Sequence, residues 1–290
     1  MKIVITGGKG QLGHDCASVM GDEHRVSAFS SRELNIADPA QVADRLGATK
    51  PDVVINCAAY TAVDLCESEQ EKCWEVNAKG PEILARECKN IDAKLIHIST
   101  DYVFDGTKPV PRPYDETDPV GPVSQYGKSK LAGEDNIRKI NDKHLIIRTA
   151  WLYGINGKNF LKTMLRLASA DPNRTLRVVN DQFGSLTWTY GLALQIHRLL
   201  DSDLTGTIHA TAEGHSTWYE AAVTFLTLME VPHKIEPCTT ADYPTPALRP
   251  ANSILENQRL KENGLNIMKP WTEDVREFAT RHREQLLAEL

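Results

Sequence analysis

The chain lacks the spacings by which cysteine and histidine usually hold a metal. Its six cysteines stand at 16, 57, 66, 73, 88 and 238, with no Cys-x-x-Cys and no Cys/His ligand pattern, which argues against a zinc site. Four of them fall in periodic apolar segments, as the reduced core thiols of a cytoplasmic protein do. No apolar run approaches the ~20 residues of a membrane span. No secretory pattern opens the chain, since MKIVIT runs directly into glycines and reads as a first strand. Basic residues are outnumbered, 33 Lys and Arg against 39 Asp and Glu, for a net charge of −6; general nucleic-acid binding is disfavoured, although a local basic pocket is compatible with it. Internal repeats and low-complexity segments are also missing. What is present is 290 residues of ordinary globular composition, enough for one large α/β domain or a domain with a smaller lobe.

Strand-like and helix-like segments alternate from the start. Short β-branched or apolar runs occupy Lys2–Thr6, Arg25–Phe29, Val53–Cys57, Leu95–Ser99 and Leu145–Thr149. Helical periodicity fills Gln11–Met20, Pro39–Leu46, Glu67–Asn90 and the segment after Ser124, a plausible N-cap. Such alternation predicts βαβ units, a doubly wound parallel Rossmann-type sheet, and helices on both faces. Lys108–Pro122, with five prolines, reads as a loop rather than a linker. Residues 1–154 are expected to form a dinucleotide-binding domain. Residues 155–290 are expected to form mainly a substrate lobe whose pieces interleave with the sheet.

The first strand ends in Gly7-Gly8-Lys9-Gly10-Gln11-Leu12-Gly13. Gly7, Gly10 and Gly13 form G-x-x-G-x-x-G between a strand and a helix, where glycines allow a tight turn and close approach to a pyrophosphate. The anion then rests on the helix N-terminus. After the second strand, an acid would take a ribose 2′-hydroxyl, as in NAD sites. Ser30, Ser31 and Arg32 stand there instead, a set suited to a 2′-phosphate; NADPH is therefore expected, with NADH use possible. The third strand exits through Ala58-Ala59-Tyr60, small residues that leave room for a flat cofactor. Asn77 is polar within an apolar periodicity and either serves backbone groups near the cofactor loop or faces solvent. Thr100 closes the fourth strand, either by a local turn bond or as a donor to a substrate carbonyl. Trp151 follows the fifth, as core or as the wall of a pocket. These positions all fall at carboxyl ends of strands, the edge where open parallel sheets bind ligands.

Tyr126 and Lys130 lie four apart in PVSQYGKSKLAGE, on one helix face with Cβ atoms about 6 Å apart. A phenol ionises near pH ~10, and an ammonium beside it favours the charged form, so the pair is suited to moving a proton near neutral pH. Alone, Tyr-x-x-x-Lys is a chance match. With Thr100 and the glycine loop it is a constellation.

The glycine motif, NCAAYT, STDYVF and YGKSK together resemble the extended short-chain dehydrogenases/reductases. Within that family the chain is similar to the dTDP-4-dehydrorhamnose reductase branch, through AAYTAVDLCESE (58–69), STDYVFDG (99–106), YGKSKLAGE (126–134), RTAWLYG (148–154), VVNDQFGSLT (178–187) and YPTPALRPANS (243–253). The resemblance implies Thr100, Tyr126 and Lys130 as the catalytic set. It implies cofactor contacts at Gly10–Leu12, Ala59–Thr61, Ile98, Tyr126 and Lys130, sugar contacts at Asp101 and Trp151 with Tyr102 beside them, and a diphosphate contact at Arg249. It further implies a small nucleotide-sugar substrate, no nucleic-acid or membrane partner, and a monomer or homodimer. Some members bridge a dimer with Mg²⁺ through two acids. Here the first position is Asp15 but the second aligns to Tyr190, so no metal is expected. Two rivals share the scaffold. A 4,6-dehydratase would carry an acid pair after the Thr, where this chain has Asp101-Tyr102; an epimerase would retain its cofactor. A third alternative is a non-catalytic regulatory subunit.

Overall fold

The computed structural model describes residues 1–290. Five strands of the first half are β1 Lys2–Thr6, β2 Arg25–Phe29, β3 Val53–Asn56, β4 Lys94–Thr100 and β5 His144–Thr149. A sixth, Gly206–His209, joins them from the second half, and the order across the sheet is β2, β1, β3, β4, β5, then 206–209. All pairs are parallel. β1 is where the order reverses, so the loops after β1 and β3 diverge and open a crevice at the carboxyl edge.

The strands are apolar on both faces because both faces are covered. Ile3 and Ile5 of β1, Val53 and Ile55 of β3, Ile96 and Ile98 of β4, and Leu145 and Ile147 of β5 enter one core cluster. The intervening Val4, Val54, Leu95 and Ile146 enter the other. Helix α1, Gln11–Met20, lies on the first face; α2, Pro39–Thr49, lies on the second. This alternation of side chains with period two is what a doubly wound sheet requires.

The expected helix Glu67–Asn90 is broken. It is α3 Val63–Ser68, α4 Gln70–Trp74, a π-helical turn Glu75–Lys79 and α5 Gly80–Asn90. Pro81 explains the π turn, since it has no N–H for the Asn77 carbonyl four residues back. The freed carbonyl leaves no room for a side chain at Gly133, where a Cβ would sit 2.3 Å from it. Helix α6, Gln125–Ile140, thereby packs close. Ser124 caps it as expected, its hydroxyl accepting from the Gly127 N–H at 3.1 Å, a bond worth ~1 kcal/mol. The Lys108–Pro122 loop is anchored: Tyr114 stacks on Phe104 at 4.3 Å, and Asn252 donates to the Lys108 and Arg112 carbonyls at 3.1 and 2.9 Å.

The second half serves both the sheet and a core of its own. Helices α7 Phe160–Ala170, α8 Thr189–Leu199 and α9 Trp218–Leu228 follow in order. α8 packs on α1 against the sheet. α7, α9 and the last helix, Trp271–Ala288, enclose Tyr153, Trp188, Phe225 and Phe278 in a separate cluster. Between these two masses lies the crevice.

Candidate active site

A cleft of about 480 Å³ runs along the carboxyl edge of the sheet. Its floor begins at the glycine loop. Gly7 has φ +66°, and a Cβ there would meet the Ala58 nitrogen at 2.8 Å; one at Gly13 would meet the Gly7 carbonyl oxygen at 2.3 Å. Only glycine permits this turn and this closeness of helix to strand. Gly10, Gln11, Leu12 and Gly13 then line the cleft. Asn77 serves the adjoining loop: it is buried, its Oδ1 accepts from the Tyr60 N–H at 2.8 Å, and its Nδ2 donates to the Tyr60 carbonyl at 3.0 Å.

The catalytic candidates meet in the middle of this cleft. Thr100 is the last residue of β4; its hydroxyl donates to Asp101 Oδ1 at 2.9 Å and accepts from the Tyr102 N–H at 3.2 Å. The Tyr126 ring packs edge-on against Tyr102, centroids 5.6 Å apart. Lys130 is 1% exposed. Its Nζ donates to the Ile98 carbonyl at 2.6 Å and faces His97 Nε2 at 3.4 Å. Burial pulls its ammonium down to about 8. The expected electrostatic effect on the phenol is not met by the protein alone. Burial pushes the Tyr126 hydroxyl up, and the hydrogen bond that works against this comes from Thr100. Four-residue spacing does place both side chains on one face, but the lysine turns toward β4. Asp101 is 2% exposed with Oδ2 unpartnered, and burial raises its carboxyl to about 6.

Trp151 walls the cleft rather than filling the core. It holds φ +47°, a region few non-glycine residues enter. Its ring stacks on Trp218 at 3.6 Å and 8°, and a Cβ at Gly184 would strike it at 2.4 Å. Arg249 closes the far end, where a second cavity of about 420 Å³ adjoins through Trp218 and Arg249. Arg174, Arg177, Gln182 and Tyr243 line that cavity.

The family described as the RmlD substrate binding domain matches residues 1–284. The chain belongs to the RmlD family. A dTDP-4-dehydrorhamnose reductase of Burkholderia thailandensis is 39% identical over 90% of this chain and 92% of that protein. The crystal structure of a dTDP-4-dehydrorhamnose reductase from Clostridium acetobutylicum superposes with TM-score 0.93 at 41% identity, covering 97% and 99% of the two chains. One from Bacillus anthracis, in complex with NADP, gives TM-score 0.93 at 35% identity over 97% and 99%.

In this RmlD family chain the cleft gathers Gly10, Gln11, Leu12, Gly13, Ala59, Thr61, Ile98, Thr100, Asp101, Tyr102, Tyr126, Lys130, Trp151 and Arg249 from the expected set. Ala58 and Tyr60 stand behind it: the Ala58 N–H donates to Asn56 at 3.2 Å, and the Tyr60 hydroxyl donates to Glu69 at 2.8 Å. Ser30, Ser31 and Arg32 form a turn after β2 that does not line the cleft. Ser30 is buried and turned toward Glu33, whose carboxylate accepts from its N–H at 2.8 Å and its hydroxyl at 2.6 Å. Ser31 and Arg32 are exposed. An acid does stand at this turn: Glu33 directly follows Arg32.

Several contributors escaped the sequence reading. Trp218 comes from the far half of the chain. Asp64 holds Arg249. His97 and Asn56 are wholly buried polar residues within apolar strands, a break of pattern that was there to be seen. Glu134, four after Lys130, is likewise fully buried. It accepts from Arg148 at 2.8 and 3.0 Å and from Ser99 and Arg138 at 2.5 Å. Burial alone would raise its carboxyl, but the two guanidiniums hold it below its ordinary value.

Proposed function

We propose that this protein is an NADPH-dependent reductase of the 4-keto group of dTDP-4-dehydro-L-rhamnose, forming dTDP-L-rhamnose in the cytoplasm. The observation that carries the reading is the meeting of Thr100, Tyr126 and Lys130 in one cleft with a glycine cradle at its floor. Relatives named as this reductase, matched over nine-tenths or more of both chains, support the substrate. The NADP-bound relative supports the cofactor; NADH is a permitted alternative. A monomer or homodimer is proposed, with no nucleic-acid partner. No helix is long and apolar enough to cross a membrane.

The cradle fits a dinucleotide: glycine at 7 and 13 lets the turn and the start of α1 close against Ala58 and the Gly7 carbonyl, which brings Gly10–Gly13 to the cleft. When bound there, NADPH would supply the hydride that reduces the ketone carbon. Gly7–Gly13 bind the pyrophosphate on the N-terminus of α1. Ala59, Thr61, Ile98 and Lys130 line the cleft beyond it and would flank the rest of the cofactor. Tyr126 gives its proton to the forming alkoxide, and Thr100 and Tyr126 hydrogen-bond that oxygen, a placement worth ~3–4 kcal/mol per donor. Asp101, Tyr102 and Trp151 surround the sugar, while Arg249 and the adjoining cavity take the nucleotide. Residues 1–154 thus carry the cofactor and part of the sugar site, and residues 155–290 mainly the rest of the substrate site, interleaved with the sheet.

An NAD(P)H oxidation assay with dTDP-4-keto-6-deoxy sugars, followed by product stereochemistry, tests the reading. Oxidation giving the L-rhamno product supports it. A D-configured product would move the assignment to another 4-ketoreductase. No oxidation, with a protein partner co-purifying, would favour a regulatory homologue.

A further inference from the structure

A chain of buried hydrogen bonds runs from the backbone of the cofactor loop to Lys130. The Ala58 N–H, unambiguously a donor, gives to Asn56 Oδ1 at 3.2 Å, and the Thr6 hydroxyl gives to the same oxygen at 2.6 Å. That fixes which end of the Asn56 amide is oxygen. The other end, Nδ2, lies 2.9 Å from His97 Nδ1. An amide nitrogen only donates, so Nδ1 of His97 accepts and carries no proton. Neutral imidazole then has its proton on Nε2, and Nε2 faces Lys130 Nζ at 3.4 Å. Thr6, Asn56 and His97 are each 0% exposed. An ammonium has no lone pair to accept this N–H; a neutral amine has one.

We infer that His97 is a positioning residue for Lys130: Asn56 locks it as the Nε2–H tautomer, and it stabilises the neutral amine. This rests on the catalytic role proposed for Lys130. It supplies a missing part of that role. When the Tyr126 proton has gone to the substrate alkoxide, a tyrosinate remains. Lys130, in the same cleft as Tyr126, would as ammonium give up one proton that reaches the tyrosinate through an intervening hydroxyl or water, breaking one N–H bond and forming one O–H bond. The resulting amine has a lone pair, and His97 Nε2–H is placed to donate to it. Solvent later restores the proton. No oxidant or further reactant is needed.

Other groups around Lys130 act against or beside this effect. Glu134 on α6, Cys57 after β3 and Cys73 on α4 each favour the cation. Glu134 is itself neutralised by Arg148 and Arg138. Burial and His97 oppose them. Burial together with the charge of Lys130 also holds His97 well below its ordinary value, which keeps the ring neutral.

The test is spectroscopic and uses the enzyme without substrate, so its failure is separate from a wrong substrate assignment. ¹⁵N-histidine spectra at neutral pH are expected to show His97 as neutral with the proton on Nε2. ¹³C-labelled lysine spectra are expected to show Lys130 titrating well below its ordinary 10.5. In N56D the carboxylate cannot donate to Nδ1, so the tautomer inverts and the Lys130 midpoint rises by about one pH unit or more. H97Q offers an oxygen to Asn56 and an N–H to Lys130, and is expected to keep the low Lys130 midpoint in the same ¹³C-lysine titration. A His97 proton found on Nδ1, an imidazolium, or a Lys130 midpoint near 10.5 in the wild type would each overturn the inference. So would an N56D protein that is folded by circular dichroism and keeps the wild-type tautomer.

Discussion

Arg249 and Asp64, 185 residues apart, meet fork to fork: Nη1 lies 3.1 Å from Oδ1 and Nη2 2.9 Å from Oδ2. The pair sits where the two cavities join. Asp64 caps the segment further by accepting the Ala247 N–H at 3.2 Å. Arg249 is thus aimed by a carboxylate from the cofactor half, and its planar fork is already engaged. A diphosphate bound at Arg249, as proposed, would have to share or displace Asp64. Arg249→Lys is expected to raise KM for the nucleotide-sugar about tenfold, one charge-assisted bond less what lysine recovers. Asp64→Asn is expected to lower it, because the competitor is weakened. Cofactor affinity is expected to stay constant in both. Unchanged KM in Arg249→Lys, or an equal loss of NADPH affinity, would remove Arg249 from the substrate site.

Tyr126 is the proposed proton donor. Tyr126→Phe is expected to reduce turnover at least ~100-fold, the scale of a general acid, with the circular dichroism spectrum retained. A folded variant near the wild-type rate would assign the proton to another group, and Thr100 would be the first to examine.

The turn after β2 is the proposed reader of the cofactor's 2′-position. Arg32 is exposed there, while the Glu33 carboxylate is held at the Ser30 N–H and hydroxyl. Arg32→Ala is expected to weaken NADPH more than NADH, since the guanidinium addresses the 2′-phosphate. Glu33→Gln is expected to shift preference further toward NADPH by removing a like charge. Equal losses of both cofactors in Arg32→Ala would show that Arg32 does not read the phosphate.

Asp15 has surroundings unlike those of a magnesium ligand. It is buried and accepts from the Thr189 hydroxyl at 2.5 Å, and His14 lies 3.8 Å away. Its pKa is raised by burial. Tyr190 lies under the Arg281 guanidinium at 4.8 Å, so a cation of the protein's own occupies that face. Mg²⁺ needs hard oxygen ligands. Activity and oligomeric mass are therefore expected to be insensitive to EDTA, and a fall in mass by light scattering on adding EDTA would reverse this.

Much of the sheet was legible because β-branched runs are local and glycine chemistry is severe. β1, α1 and β2 fall at the expected residues, and Thr100 lies at the end of β4 as read. Within Glu67–Asn90, periodicity does not register the missing N–H at Pro81 that accompanies the π turn, nor the non-helical backbone of Glu69 that parts α3 from α4. Trp218 and Asp64 were out of reach, since each enters the site through tertiary packing of distant segments. The direction of the Lys130 side chain was equally hidden: spacing gives a helix face, whereas the Ile98 carbonyl and His97 decide where the amine ends.

Asp274 offers a test of stability against pH. It sits in the first turn of the last helix, 2% exposed, with Oδ2 unpartnered. Burial pushes its carboxyl up to about 7 from an ordinary 3.8, against Lys269, which lowers it. The folded state therefore holds a proton that the unfolded state has released between those two values. By linkage, stability falls as pH rises through this window and levels off above the folded value. Each pH unit of difference corresponds to about 1.4 kcal/mol, so the ionised group costs on the order of a few kcal/mol at pH 8. Asp274→Asn keeps the shape and removes the charge. Its melting temperature is expected to exceed the wild type's at pH 8, with the gap narrowing steadily toward pH 5. Thermal melts at several pH values read this directly, and a gap that stays constant from pH 5 to 8 would mean that Asp274 does not titrate in the folded protein as its burial requires.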